Sequence, residues 1–131
     1  FGDHSDTPGM QVTVTSYGYK HGLPVDVDLV FDCRFLPNPH WVEALRPLDG
    51  REPAVSSYVL GSDLAGEFLD RVESLLALLA PAYEAEGKAY LTVAFGCTGG
   101  RHRSVAIAEE MARRLAHHDV DAGVAHRDVG R

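Results

Sequence analysis

An apolar stretch, a glycine-rich loop and an amphipathic stretch follow one another between residues 89 and 115. Residues 89–95 read AYLTVAF, a pattern that predicts a strand buried on both faces of a sheet. Residues 104–115 place Ile107, Ala108, Met111 and Leu115 on one helical face, which predicts a helix with an apolar inner side. A buried strand that passes through a short loop into a helix is typical of an α/β fold with a mostly parallel sheet.

Three further strands are predicted where β-branched and apolar residues dominate. They cover residues 11–16, 27–31 and 122–125. Pro37 and Pro39 lie two residues apart, and together they exclude a helix and a central strand there. This segment is therefore predicted to be a fixed extended or turn loop.

A long helix is predicted from the N-cap residue Ser62 towards Gly87, a suitable stop residue. Pro81 is predicted to kink the main helix or to end it a turn early. Apolar residues at helical spacing define its expected buried stripe: Leu64, Phe68, Val72, Leu75, Leu76, Leu79 and Tyr83.

The composition suits one domain with its own core, since the chain has 131 residues, of which 45% are hydrophobic. We predict a single α/β domain over residues 11–131, preceded by a flexible arm or linker over residues 1–10. No apolar stretch is long enough to span a membrane and no leader is recognisable, so a cytoplasmic location is expected. Two cysteines give neither a disulfide framework nor metal-ligand spacing, and no metal or cofactor is predicted. The net charge of −7 argues against general affinity for nucleic acid.

The glycine-rich loop, residues 96–104, reads GCTGGRHRS and contains the main candidate residues for ligand binding. Gly99 and Gly100 let successive backbone N–H groups converge on an anion, in front of the positive end of the following helix. Arg103 can add a bidentate guanidinium, and Thr98 and Ser104 can add hydroxyls. These residues predict a phosphate-binding loop. The loop lacks the lysine of the Walker motif GxxxxGK[ST], so the sequence does not support ATP hydrolysis.

The spacing from Cys97 to Arg103 is also the signature of Cys-dependent phosphatases, in which a thiolate attacks phosphorus. In that hypothesis Cys97 and Arg103 would be catalytic, and Asp32 would be the general acid. The alternative is that Cys97 is a small buried residue that ends its strand. The sequence leaves the enzyme question open, and we favour a binding domain without catalysis.

Three motifs resemble the C-terminal domain of the RapZ family. They read VTVTSYGYKHG over residues 12–22, FDCRFLPNPHW over residues 31–41 and GCTGGRHRS over residues 96–104, and the likeness runs in order from residue 12 to residue 128. RapZ proteins hand a small RNA to RNase E and sense glucosamine-6-phosphate. The N-terminal P-loop nucleotide-binding domain of the family has no counterpart here, so a fragment or a stand-alone relative is expected.

The resemblance implies a site for an amino-sugar phosphate. The phosphate would be held by the loop residues Cys97, Thr98, Gly99, Gly100, His102 and Arg103, with the Ser104 hydroxyl beside them. Asp32 and His40 would reach the sugar ring, unless Asp32 only caps a loop or pairs with Arg34. Trp41 is interpreted as belonging to the core or to the pocket wall.

The resemblance also implies macromolecular partners. In the family, the turn after the first strand and the C-terminal segment border the RNA surface, which makes Lys20, His21 and Arg127 the candidates for RNA binding. An RNA-binding adapter is therefore a second alternative function, with a protein partner and homo-oligomerisation also implied. The alternative for the turn after the first strand, which we favour, is that this turn is only solvated. Cys33 is either a resolving thiol for Cys97 or a small buried residue.

Overall fold

Four parallel strands form one sheet at the centre of the computed structural model, which describes residues 9–131. They are β1 (Gln11–Gly18), β2 (Leu29–Asp32), β3 (Tyr90–Cys97) and β4 (Asp121–His126), in the order β2-β3-β1-β4. Every pairing is parallel, so the predicted α/β domain with a small parallel sheet is confirmed.

Most of the arm predicted over residues 1–10 lies outside the described residues. Of its last two residues, Gly9 is exposed and Met10 is buried in the core. The backbone N–H of Met10 donates to the carboxylate of Glu84 at 3.3 Å, so Met10 contacts the C-terminal part of the long helix.

Three α-helices accompany the sheet: α1 (Pro53–Leu60), α2 (Asp63–Ala85) and α3 (Arg103–Ala116). The helix α1 was not predicted, because it has only eight residues and buries only Val55 and Val59. Within residues 9–131, no helix combines the length and the apolar character that crossing a bilayer requires.

The predicted start and stop of α2 are confirmed. The Ser62 hydroxyl accepts a hydrogen bond from the Ala65 N–H at 3.1 Å, and Gly87 follows the helix with a φ of +94°. Of the two effects predicted for Pro81, the early end is wrong, since α2 continues to Ala85, and the kink stays a prediction. Proline removes one backbone hydrogen bond of the helix, and the burial of the neighbouring Ala80 in the core offsets that loss.

The buried stripe of α2 differs partly from the prediction. Its buried residues are Ala65, Leu69, Val72, Leu76 and Ala80, whereas the predicted Leu64 and Leu75 are exposed. The prediction assigned the buried stripe from the large apolar side chains. The small Ala65 and Ala80 face the core as well, because they allow the neighbouring elements to approach closely.

One face of the sheet packs against α3, whose predicted inner face is confirmed: Ile107, Ala108, Met111 and Leu115 are all buried. On β1 the inward residues Val12 and Val14 alternate with the exposed Gln11 and Thr13. The carboxyl ends of the strands meet at one edge of the sheet, where Gly18 pairs with Cys97. Ligand sites in open α/β sheets lie at this edge.

Candidate anion-binding site

The glycine-rich loop joins β3 to α3 at the carboxyl edge of the sheet. Its backbone is held from three sides by N–H groups of Cys33, Lys20 and Gly50, which donate to three loop carbonyls at 2.7, 3.1 and 2.9 Å. Three separate segments of the chain therefore fix the path of this loop.

Gly100 and Gly18 allow the loop to lie directly on the end of β1. Gly100 has a φ of +76°, and a Cβ atom there would come 2.5 Å from the backbone nitrogen of Gly18. A Cβ atom on Gly18 would come 2.4 Å from the carbonyl carbon of Gly99. Only glycine meets both conditions, because other residues disfavour this φ and would add a clash with backbone.

A cavity of about 520 Å³ opens beside the loop, within the range usual for small-molecule sites. Its lining residues are Lys20, Asn38, His40, Trp41, Arg46, Cys97, Thr98, Gly99, Arg101, His102, Arg103 and Arg131. Five of the twelve Lys and Arg residues of the chain are among them, and none of the lining residues is Asp or Glu. The cavity is therefore suited to an anion, although the chain as a whole is acidic.

Arg103 is the most enclosed of these cations, with only 5% of its surface exposed. Its Nη1 donates to the carbonyls of Arg34 and Leu36 at 2.7 and 3.4 Å, and its Nη2 donates to the Thr98 hydroxyl at 3.4 Å. Among the described residues its Nε has no partner. None of the three partners carries a charge, so they do not compensate the positive charge of the guanidinium, and its buried Nε is a spare donor.

Cys97 and Ser104 are buried together at the start of α3. The Cys97 thiol donates to the Ser104 hydroxyl at 3.1 Å, and the Ser104 N–H donates to the sulfur at 3.4 Å. Cys33 is also fully buried, and burial raises the pKa of its thiol, with Cys97 nearby adding to the rise. A thiol that stays protonated is a poor nucleophile, so this geometry favours Cys33 as a small buried residue.

Asp32 forms an ion pair with Arg34 and does not line the cavity. Its carboxylate accepts three hydrogen bonds from the Arg34 side chain, at 2.7 to 3.1 Å, and Arg34 also lies 3.8 Å above the Tyr19 ring. Hydrogen bonding from Arg34 holds the pKa of this carboxyl below its ordinary value. The sequence left two alternatives for Asp32, a contact with the sugar and an ion pair with Arg34. The structure shows the ion pair.

His40 and Trp41 lie on the cavity wall, in a single 3₁₀ turn (Pro39–Trp41). This turn starts at Pro39, where a missing N–H costs nothing, so the two prolines do permit a short helical turn. The Asn38 side chain accepts a hydrogen bond from the His40 N–H at 3.1 Å and caps the turn. Trp41 is 75% exposed, so it belongs to the pocket wall and not to the core.

The His102 ring supports the segment around Arg46. Its Nε2 lies 3.1 Å from the Arg46 carbonyl oxygen, which can only accept, so Nε2 carries the proton. Burial lowers the pKa of His102 from its ordinary value of 6.5, and the neutral ring then has no second N–H. His102 lines the cavity, and the Arg46 carbonyl already engages its Nε2.

Acid is expected to destabilise the fold through His102. Below about pH 6.5 the unfolded chain takes up a proton on this ring that the folded protein resists, so falling pH favours unfolding. Urea midpoints at about pH 7.5 and about pH 5.5 measure the effect. The variant His102→Gln keeps a donor for the Arg46 carbonyl and does not titrate, so it should lose less stability over this interval. An equal loss in both proteins would contradict the expectation.

The three RNA-binding candidates lie in different surroundings. Lys20 lines the cavity, and its Cε atom is 3.9 Å from the Cβ position of Gly99. Arg127 is engaged elsewhere, since it pairs with Asp128 and donates to the Gly22 carbonyl at 2.6 Å. The Nε2 atom of His21 is buried and has no partner in the described region of the chain.

Sequence reasoning missed several residues at this edge. Arg46, Arg101 and Arg131 line the cavity, although no motif pointed to Arg46 or Arg131. Asp128 is fully buried and accepts a hydrogen bond from the Gly18 N–H at 2.7 Å. Burial opposes its ionisation, but Arg127 and Gly18 outweigh it, and the pKa of Asp128 is lowered. No hydrophobic periodicity in the sequence indicates that a charged residue such as Asp128 is buried.

Comparisons with known proteins agree on one family. The family model for the RapZ C-terminal domain matches residues 10–130. A nucleotide-binding protein of Frankia alni is 61% identical over 122 residues, which are 93% of this chain and 42% of that protein. Nucleotide-binding proteins of Streptomyces coelicolor and Thermobifida fusca are 60% and 56% identical over 124 and 122 residues, covering 95% and 93% of this chain and 42% of each relative. The chain thus spans about two fifths of the length of the relatives it matches.

Proposed function

The chain belongs to the RapZ C-terminal domain family, and on that premise we propose that it binds and senses a phosphorylated amino sugar such as glucosamine-6-phosphate. The observation that carries the proposal is Arg103, a nearly buried guanidinium that lines a cavity without Asp or Glu and has a buried Nε with no partner among the described residues. Its relatives are named as nucleotide-binding proteins and are more than twice as long. We therefore propose that this domain regulates a longer protein to which it belongs.

The phosphate would lie against the glycine-rich loop. There the positive end of the α3 dipole would face the anion. The Nε of Arg103 would donate to one phosphate oxygen and its Nη2 to another, the bidentate geometry that suits a phosphate. The Lys20 ammonium, whose side chain lies beside Gly99, would add a second charge.

The sugar would occupy the region of the cavity beyond the loop. His40 and Asn38 offer a ring nitrogen and a side-chain amide to its hydroxyls, and Trp41 offers an apolar surface for its C–H groups. Asp32 would reach the amine only by exchanging Arg34 for the ammonium. That exchange would break a bidentate ion pair whose two side chains are 47% and 48% exposed.

Calorimetric titration tests this function directly. We expect glucosamine-6-phosphate and glucose-6-phosphate to bind, and unphosphorylated glucosamine not to bind. The variant Lys20→Gln should weaken the binding of both phosphates by about tenfold, the value of one charge-assisted hydrogen bond. Arg71→Gln is the matched control, since Arg71 is an exposed cation of α2 that pairs with Glu67 and lies outside the cavity lining.

Two results would contradict the proposal. One is a protein that gives no heat with either sugar phosphate at low salt. The other is a loss of affinity in Arg71→Gln as large as that in Lys20→Gln, because a general charge effect would then explain the binding.

The geometry favours neither of the two alternative functions. A phosphatase would need Asp32 as its acid, and this carboxylate is bound by Arg34 outside the cavity lining. The RNA hypothesis relied on Lys20, His21 and Arg127, of which Arg127 is held by Asp128 and Gly22.

A further inference from the structure

The segment that follows β4 is fastened to the carboxyl edge of the sheet beside the candidate site. The Arg127 N–H donates to the Ser16 carbonyl at 3.0 Å. Arg101 of the glycine-rich loop donates from Nη1 to the Val129 carbonyl at 3.3 Å. Because the segment is tied both to β1 and to the loop, it reaches the cavity, and Arg131 is one of the lining residues.

Asp128 is the buried centre of this segment. Its side chain is fully buried, and its carboxylate accepts a hydrogen bond from the Gly18 N–H at 2.7 Å. Two guanidinium groups also meet the carboxylate: Arg127 donates from Nε and Nη2 at 2.7 to 3.1 Å, and Arg131 pairs through its Nε at 3.4 Å. A buried carboxylate keeps its charge only with such partners, so Asp128 and the groups around it hold one another in fixed positions.

The same carboxylate connects the base of the glycine-rich loop with Arg131. The loop rests on Gly18, since a Cβ atom on Gly100 would come 2.5 Å from the Gly18 nitrogen. The Arg131 side chain is 56% exposed and lines the cavity. While its Nε pairs with Asp128, its two Nη groups can donate to an anion in the cavity.

We propose that Arg131 binds the phosphate of the ligand and that Asp128 is a positioning residue, which holds Arg131 and Gly18 for that contact. This inference rests on the proposed function, because it takes the phosphate to lie at the glycine-rich loop. An exposed arginine has many rotamers and loses much entropy when it binds a ligand. An Nε that is already fixed on a buried carboxylate reduces that loss.

Charge alone predicts the opposite role for Asp128. A carboxylate beside the loop repels a phosphate, so replacing it by a neutral side chain would tighten binding if Asp128 acted only through its charge. Positioning predicts weaker binding, because Arg131 loses the group that holds it. The direction of the change therefore separates the two roles.

Calorimetric titration of three variants with glucosamine-6-phosphate and glucose-6-phosphate tests the inference. We expect Arg131→Gln to weaken the binding of both by about tenfold, the value of one charge-assisted hydrogen bond. Asp128→Asn keeps an acceptor for the Gly18 N–H but has no charge to hold a guanidinium, so it should weaken binding by up to about tenfold as well. The double variant should bind as Asp128→Asn does, because Arg131 contributes only when Asp128 holds it.

Asp70→Asn and Arg71→Gln are the matched controls. Both residues are exposed on α2 and lie outside the cavity lining, so each variant removes one charge and should bind as the wild type does. Far-UV circular dichroism verifies that the variants are folded. Arg131→Gln leaves Asp128 paired with Arg127, so this variant decides the inference even where Asp128→Asn is unfolded.

The outcomes separate this inference from the proposed function. Wild-type affinity in Arg131→Gln would overturn the inference and leave the proposed function standing. Tighter binding in Asp128→Asn would overturn the positioning role, and so would a double variant that binds clearly more weakly than Asp128→Asn. No binding of either sugar phosphate to the wild type would overturn both the inference and the proposed function.

Discussion

Replacing Gly100 by alanine is expected to lower the free energy of unfolding by about 2–4 kcal/mol and to abolish sugar-phosphate binding. The φ of +76° disfavours any residue with a Cβ atom, and the added atom would lie 2.5 Å from the backbone nitrogen of Gly18. Because Gly18 ends β1, its backbone is fixed by the sheet, so the added Cβ atom would displace the glycine-rich loop. Urea unfolding followed by circular dichroism gives the stability, and calorimetry gives the binding.

The matched control for this change is Gly66→Ala in α2. A Cβ atom on Gly66 would meet no atom within 4 Å, and alanine is the better helix former. This variant is expected to gain about 0.5–1 kcal/mol and to bind ligand as the wild type does. If Gly100→Ala unfolded at the wild-type urea concentration, the close packing of the loop against β1 would be contradicted.

Features of the fold that depend on neighbouring residues were predictable from the sequence. The apolar pattern of β3, the glycines after it and the spacing of Ile107, Met111 and Leu115 all act within a few residues. Errors arose where packing decided the result. Pro81 stays inside α2 because Ala80 is held in the core, and α1 was missed because two buried valines leave a weak signal.

The residues of the candidate site also fall into those that a local motif identifies and those that only tertiary contacts bring together. Cys97 to Arg103 could be proposed from the sequence because the whole motif is contiguous and lies between a strand and a helix. Arg46 reaches the cavity through the loop that precedes α1, and its position depends on contacts with His40 and His102. Asp32 was expected near the sugar, but the Arg34 guanidinium two residues later satisfies its carboxylate first. No local pattern encodes which of two available partners a charged group takes.

Replacing Arg103 by glutamine is expected to weaken sugar-phosphate binding by at least about 100-fold. The change removes two charge-assisted donors, Nε and Nη2, each contributing about 1.5–3 kcal/mol. It also leaves the carbonyls of Arg34 and Leu36 without their donor, so the free energy of unfolding should fall by about 1–3 kcal/mol. Calorimetry at a temperature well below the unfolding transition separates the two effects.

Arg103→Lys separates charge from geometry. Lysine keeps the positive charge but cannot donate from two fixed nitrogens to two oxygens, so we expect it to recover only a fraction of the lost affinity. Arg113→Gln is the control on the same helix, because Arg113 is exposed and pairs with Glu110 outside the cavity lining. Wild-type affinity in Arg103→Gln would show that the phosphate lies elsewhere. Wild-type affinity in Arg103→Lys would show that the site requires a charge at this position and not the planar guanidinium.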